Sequence, residues 1–230
     1  MKNKIVRFFQ FFGWDIYKGW SNLKGIRFFS RDKAKLKKQL AGKKDFPFAK
    51  NYPILDERFV EAGIMSGHYF HQDLHVAQRI FKYKPAKHVD LGSRIDGFVA
   101  HVATFREIEV LDIRAQESKV KNIRFRQQDL MQLPLDMVGY CDSFSSLHAI
   151  EHFGLGRYND PIDSEGHSKA LKNIAKILKQ KGIFYFSVPI GPQRIEFNAH
   201  RVFAISYLLD LLKADFELIH FSYVDDKGDL

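Results

Sequence analysis

An α/β fold with a mostly parallel sheet flanked by helices is what this sequence predicts, and three observations predict it. From Lys87 onward short apolar runs alternate with helical stretches; apolar residues make up 45% of the 230, enough to fill one core; and glycines or carboxylates stand at the ends of successive apolar runs. A chain of this length suits one such domain with an accessory segment rather than two full domains.

Residues 1–50 form a basic, aromatic extension. Phe8, Phe9, Phe11, Phe12, Trp14, Tyr17 and Trp20 stand among Lys2, Lys4, Arg7, Lys18 and Lys24, and Arg31, Lys33, Lys35, Lys37, Lys38, Lys43 and Lys44 follow. The composition predicts a helix that either lies on an anionic membrane surface or serves as a lid with its aromatics on the main domain. Adjacent phenylalanines blur any single apolar face, so both readings stay open. Gly42, Pro47 and Pro53 mark a connecting segment over 42–56, and the main domain is expected over 51–230.

Within that domain a helix is expected near 70–82 and strands at 88–92, 109–113, 123–127, 141–147, 182–188 and 216–224. Further helices fit 97–105, 166–180 and 204–213; Leu171, Ile174, Ile177 and Leu178 mark the second, and Gly182 is expected to close it. A final antiparallel strand is not visible in the pattern.

The formal charge of +9 comes from 36 Lys and Arg against 27 Asp and Glu. That excess suits nucleic acid, anionic lipid or an acidic small molecule and does not choose among them. No Asn-Pro-Pro-Tyr or Pro-Cys type motif follows the fourth strand and the lysines gather in one arm, so nucleic acid is not the expected partner. The single Cys141 forms no internal disulfide and is read as a small buried hydrophobe in a reducing, cytoplasmic setting. No apolar run reaches the ~18–20 residues that span a bilayer. A cytoplasmic protein is expected, either free or peripheral on the inner face of the membrane.

The segment Val89-Asp90-Leu91-Gly92-Ser93-Arg94-Ile95-Asp96-Gly97 places glycines at the end of the first strand and near the next helix start, where backbone approaches a ligand closely. Asp112 follows Gly92 by about 20 residues, at the end of the second strand, where a carboxylate accepts ribose hydroxyls. Asp129 follows the third strand. Three strand ends opening on one edge of a parallel sheet would bring Asp90, Asp112 and Asp129 to a common crevice, although each alone is as readily a turn or cap residue.

These residues resemble the motifs of class I S-adenosylmethionine-dependent methyltransferases, which have a Rossmann-like fold. Val89 to Gly97 is similar to their glycine-rich first motif, with Arg94, Ile95 and Asp96 where many carry a third glycine. Asp112 and Asp129 resemble their ribose and adenine contacts. Asp142 to His152 is similar to the fourth-strand motif of small-molecule methyltransferases, and Gly182 to Pro189 to their fifth strand. Longer stretches, Gly67 to Leu74, His152 to Tyr158, Asp160 to Asp163 and Pro189 to Arg201, resemble a bacterial family known as domain of unknown function 268 over residues 67–229. The resemblance implies S-adenosylmethionine as cofactor, held by Asp90, Gly92, Ser93, Gly97, Asp112, Ile113, Asp129, Leu130 and His148.

A methyltransferase has to position its acceptor and, for a hydroxyl, remove a proton. Glu151 and His152, with His200 arriving after the fifth strand, are the candidate catalytic residues; the plain alternative is that Glu151 and His152 cap the strand end. The acceptor is expected to be a small molecule, such as a sugar or a precursor of a polysaccharide. A catalytically silent Rossmann-like scaffold at the membrane is the competing reading. The pairs His71/His75 and His148/His152 have chelating i, i+4 spacing only if helical, and no metal is expected.

Overall fold

The computed structural model describes residues 6, 9, 11–43 and 45–230. Lys2, Lys4, Arg7, Phe8 and Lys44 of the basic extension lie outside the described residues. The chain divides into two compact units, Met1–Ile64 and Met65–Leu230.

In the first unit, helix α1 (Ile16–Gln39) begins where the Asp15 side chain accepts from the Lys18 amide at 3.0 Å, satisfying an otherwise orphaned donor. One face packs on the returning segment 45–64. Gly25 sits so close that a Cβ there would lie 2.0 Å from the Leu55 carbonyl oxygen. Phe28 meets Phe59 edge-on at 6.0 Å, and Asp32 pairs with Arg31 and Arg58. No helix among the described residues is long and apolar enough to cross a membrane.

The second unit runs α2 (His68–Tyr83), β1 (His88–Leu91), α3 (Ala100–Ala103), β2 (Ile108–Asp112), β3 (Ile123–Gln127), β4 (Cys141–Leu147), α4 (Gly166–Ile177), β5 (Leu178–Ser187), β6 (Arg194–Glu196), β7 (His200–Val202) and α5 (Ile205–Leu212). A wide helical turn, Ile95–Val99, leads into α3. Strands β1 to β5 form one parallel sheet in the order β3-β2-β1-β4-β5, with helices on both faces, which is the Rossmann-like arrangement expected from the sequence. Alternation along the strands divides the core. Val89, Leu91, Leu111 and Phe144 meet Leu171, Ile174 and Ile177 of α4 on one face. Ile108 and Val110 meet Val76 and Ile80 of α2 and Phe98 and Val102 on the other.

A polar ladder runs through the β1–β4 seam, where His88, Asp90, Ser143 and Ser145 are almost wholly buried. Ser145 Oγ donates to Asp90 Oδ1 at 2.5 Å, so it accepts from His88 Nε2 at 3.1 Å, and Nδ1 then accepts from Ser143 Oγ at 2.8 Å. Burial keeps this imidazole neutral, pushing it down to about 3.

Two elements depart from the sequence-based expectation. Helix α4 stops at Ile177 because Leu178 turns extended and pairs with Cys141; Gly182 therefore lies within β5 at a bulge rather than closing the helix. There a Cβ would meet the Lys179 carbonyl oxygen at 2.9 Å. The expected strand at 216–224 does not form. Phe216 packs on Phe184, but Leu218, Ile219, Phe221 and Tyr223 are exposed and the segment joins no ladder. Cys141 is fully buried, which pushes its thiol up to about 12.

Candidate active site

Each parallel strand delivers its C-terminal residue to the same edge of the sheet. Gly92 ends β1 with a φ of +65°, a conformation open to glycine, and a Cβ there would lie 3.0 Å from Ala149 at the end of β4. Together with Asp112, Ile113, Gln128, Asp129, His148 and His152 it lines a cavity of about 60 Å³. Asp129 Oδ1 accepts from the Met131 amide at 2.9 Å, leaving its other oxygen unclaimed by that turn. A larger cleft of about 1890 Å³ shares Gly92, Asp112, Arg114, His148, His152 and Tyr158 with this cavity, so those six residues stand at the junction of the two.

Three of the expected cofactor residues do not face either cavity. Asp90 is fully buried and accepts from the Ser93 amide (3.0 Å), Ser93 Oγ (2.6 Å) and Ser145 Oγ (2.5 Å). It braces the turn beneath the crevice instead of lining it. Burial, countered by those donors, pushes its carboxyl up to about 6. Leu130 is a core residue with no exposed surface. Gly97 is buried against α2, where a Cβ would lie 2.3 Å from Asp73 Oδ2; it sets the approach of two helices. Ser93 lines the larger cleft, and Ile113 the smaller cavity, where its carbonyl accepts from Gln127 Nε2 at 2.8 Å.

Asp112 is held by its own neighbour. The Arg114 amide and Nε both reach Asp112 Oδ1 at 2.9 Å, and its terminal nitrogen reaches Oδ2 at 2.7 Å. The same guanidinium lies 4.3 Å from the centre of the Tyr158 ring. Arg114 thus bridges the β2 end to the 153–165 loop across the mouth of the smaller cavity.

The fourth strand ends in a charged cluster. His148 holds a φ of +54°, uncommon for a residue with a side chain, and its Nδ1 lies 3.0 Å from Glu151 Oε1. Glu151 is 1% exposed, and its Oε2 is buried with no hydrogen-bond partner. A buried carboxylate oxygen without a donor is costly, so this site is suited to receive a hydrogen-bond donor from a ligand. His152 Nε2 stands 3.8 Å from the same Oε1. Its Nδ1–H donates to the Ala199 carbonyl at 2.7 Å, which leaves Nε2 as the acceptor. Burial lowers the affinity of His152 for a proton, with Glu151 opposing. The His200 ring lies 6.5 Å from that of His152, its Nε2 facing Glu196 at 3.5 Å.

Several participants come from segments outside the class I methyltransferase motifs. His68 and Tyr69, at the start of α2, stand 4.8 and 5.4 Å from the His148 ring. Burial lowers the proton affinity of His68, with His148 adding to it, and raises the Tyr69 phenol, with Glu151 adding to it. The buried Arg201 donates to the carbonyls of Phe153 and, at 3.3 Å, Ser164, pinning both ends of the loop that carries Arg157 and Tyr158. Position alone marks His68 and Tyr69 in the sequence, within the family-like stretch from Gly67; their proximity to His148 is a product of the fold. Elsewhere on α2, His75 Nε2 accepts from Arg79 Nε at 2.8 Å, and His71 Nε2 is buried without a partner.

The family model described as Caenorhabditis protein of unknown function, DUF268, matches residues 97–229, more than half of the chain. The chain belongs to the DUF268 family. That description ties DUF268 to Caenorhabditis and gives no support to the bacterial origin expected from the resemblance. No curated protein matches this DUF268 chain. Among solved structures, a 1,6-didemethyltoxoflavin-N1-methyltransferase from Burkholderia thailandensis, with S-adenosylhomocysteine bound, shares 18% identity at a TM-score of 0.49, covering 63% of this chain and 66% of that one. A putative methyltransferase complexed with the Trm112 activator, from Haloferax volcanii, shares 16% at 0.47, covering 64% and 67%. An S-adenosylmethionine-dependent methyltransferase from Clostridium acetobutylicum shares 12% at 0.44, covering 64% and 79%. The chain thus spans a little under two thirds of the first of these.

Proposed function

We propose that this DUF268 protein is an S-adenosylmethionine-dependent methyltransferase acting on a small molecule, with its nucleoside site at the ends of β1 to β4. The observation that carries the reading is the junction of the two cavities. Asp112 and Asp129 flank the smaller one on adjacent strand ends, while a carboxylate–histidine cluster stands where it opens into the larger. The residues fit the cofactor: Gly92 leaves a space a side chain would fill, Asp112 and Asp129 are carboxylates suited to ribose hydroxyls and an adenine amine, and Glu151 has an unpartnered buried oxygen.

When bound, S-adenosylmethionine supplies an electrophilic methyl group. Asp112, once freed of Arg114, would hold the ribose and Asp129 the adenine, with Gly92, Ser93, Ile113 and His148 as the surrounding wall. His152 Nε2 takes the acceptor proton. Glu151, 3.8 Å away, stabilises the imidazolium that results. His200 stands behind His152, and the backbone bond to Ala199 fixes the working tautomer. Sugars and sugar phosphates are the acceptor class we favour, because Arg94, Arg157 and Arg194 line the larger cleft beside this base.

A second reading has one specific observation behind it. The smaller cavity, at about 60 Å³, is well below the ~300 Å³ of ordinary ligand pockets, and Arg114 occupies the Asp112 carboxylate. A silent scaffold that has lost its cofactor would look this way. Calorimetric titration with S-adenosylhomocysteine separates the two. Micromolar binding (about 1–100 μM), reduced at least ~30-fold by Asp112→Ala and tightened several-fold by Arg114→Ala, is the result expected of the methyltransferase. No heat from either the parent chain or Arg114→Ala supports the scaffold.

A further inference from the structure

Helix α1 has two unlike faces. Ser21, Asn22, Gly25, Phe28, Phe29, Asp32 and Lys33 recur at three- and four-residue spacing as its covered side. The opposite side is exposed along the whole helix, and its composition changes part-way. Ile16, Trp20 and Leu23 occupy the first two turns, with Trp20 and Leu23 each 63% exposed. Arg27, Ala34 and Lys38 continue the same stripe, flanked by Lys24, Lys35 and Lys37. Trp14 and Tyr17, at 68% and 70% exposed, extend the apolar end.

No acidic residue stands on that stripe. The carboxylates nearest it are engaged elsewhere: Asp15 caps the helix, and Asp32 on the covered side pairs with Arg31 and Arg58. Lys24 lies 5.7 Å over the Trp20 ring, so the cationic and aromatic portions meet in one surface. Exposed indole, phenol and branched aliphatic side chains cost free energy in water unless something covers them. A cover for this stripe has to be apolar under Trp20 and Leu23 and anionic under Arg27, Lys35 and Lys38.

We propose that α1 is a peripheral membrane anchor that lies flat on an anionic lipid bilayer, with Trp14, Tyr17, Trp20 and Leu23 entering the headgroup region and Arg27, Lys35 and Lys38 meeting lipid phosphates. The bilayer interface supplies both required surfaces side by side, because tryptophan and tyrosine settle at headgroup level while basic residues hold anionic headgroups. Nucleic acid offers the negative charge but stacks aromatics only on unpaired bases, and it leaves Leu23 and Ile16 in water. The consequence for the molecule is that the active-site unit is held at a membrane surface, where an amphiphilic acceptor would be concentrated.

The chain carries two tryptophans, Trp14 and Trp20, both in this segment, so its tryptophan emission reports on the anchor. The full-length protein is mixed with phosphatidylcholine vesicles, with phosphatidylcholine–phosphatidylglycerol vesicles and with a single-stranded oligonucleotide. Emission is followed alongside co-sedimentation. The expected result is a blue shift and co-sedimentation with the anionic vesicles only, weakened by salt. The double variant Trp20→Ser, Leu23→Ser should lower the partition coefficient at least ~tenfold, and Arg27→Glu, Lys38→Glu by a similar factor. Lys172→Glu, an exposed charge change on α4, should leave it within about twofold. Because every altered side chain is exposed, far-ultraviolet circular dichroism should be unchanged. An absent blue shift, a response to the oligonucleotide without one to vesicles, or an equal loss in Lys172→Glu would each overturn the proposal.

Discussion

Two buried carboxylates, Asp90 and Glu151, lie close to the same sheet edge and are handled in opposite ways. Asp90 has no exposed surface and receives three donors, two of them from Ser93 and one from Ser145. Glu151 is 1% exposed, leans one oxygen on His148 and leaves the other without a donor. A satisfied buried carboxylate rigidifies a turn; one with an oxygen lacking a donor leaves an acceptor open to a ligand. The difference sets a braced turn apart from an open polar cluster along one sheet edge.

The contrast should appear first in stability. Asp90→Ala strands three buried donors and is expected to cost ~3–5 kcal/mol in urea unfolding, whereas Glu151→Ala removes an incompletely paired charge and should cost no more than ~1–2 kcal/mol. Equal losses would break the distinction between the two carboxylates. Methyl transfer, once an acceptor is found, should follow the reverse ranking per unit of stability lost.

A second expectation concerns pH. The unfolded chain gives up the Asp90 proton near 3.8 and the folded chain holds it to about 6. The contribution of this group therefore favours folding below pH 4 and is lost as pH rises through about 6, by up to about 3 kcal/mol. Asp90→Asn removes the titration, so its stability relative to the parent should improve between pH 4 and pH 7. Thermal melts across that range test the sign, and a flat difference would place the cost of burial elsewhere.

The smallest effect sharpens the other carboxylate. Burial lowers the proton affinity of His152 while Glu151 opposes the shift. Glu151→Gln should move the His152 titration further down, read from its ring signals by NMR. A shift upward would mean that Glu151 does not face this imidazole in solution.

Much of the scaffold is legible in the sequence because apolar residues punctuate the strands: Val89 and Leu91 in β1, Ile108, Val110 and Leu111 in β2, and Ile123 and Phe125 alternating with Arg124 and Arg126 in β3. The ranges 123–127 and 141–147 agree residue for residue with β3 and β4. Asp112 and Asp129 are likewise readable, since a polar residue ending an apolar run must emerge at the sheet edge. What spacing does not reveal is depth. Asp90 stands two residues before the Gly92 turn, and the alternation of the strand directs it into the β1–β4 seam, where the Ser145 hydroxyl from a distant segment donates to its carboxylate. Leu130 and Gly97 fail for the same reason: each is one residue away from the rim and faces the core. Residues 216–224 have strand composition, but a strand exists only where a partner ladder is offered, and that is a non-local condition. His68 and Tyr69, although inside the family-like stretch from Gly67, join the site through the placement of α2, and Arg114 through an ion pair, neither of which spacing in the sequence reveals.

The most direct test follows histidine ring signals during titration of the ¹⁵N-labelled protein with S-adenosylhomocysteine. If the junction is the cofactor site and the seam is scaffold, His148 and His152 shift on binding while His88 stays fixed. A titration that leaves His148 and His152 unmoved, or that moves His88 alone, would contradict the assignment of function to the Glu151 cluster.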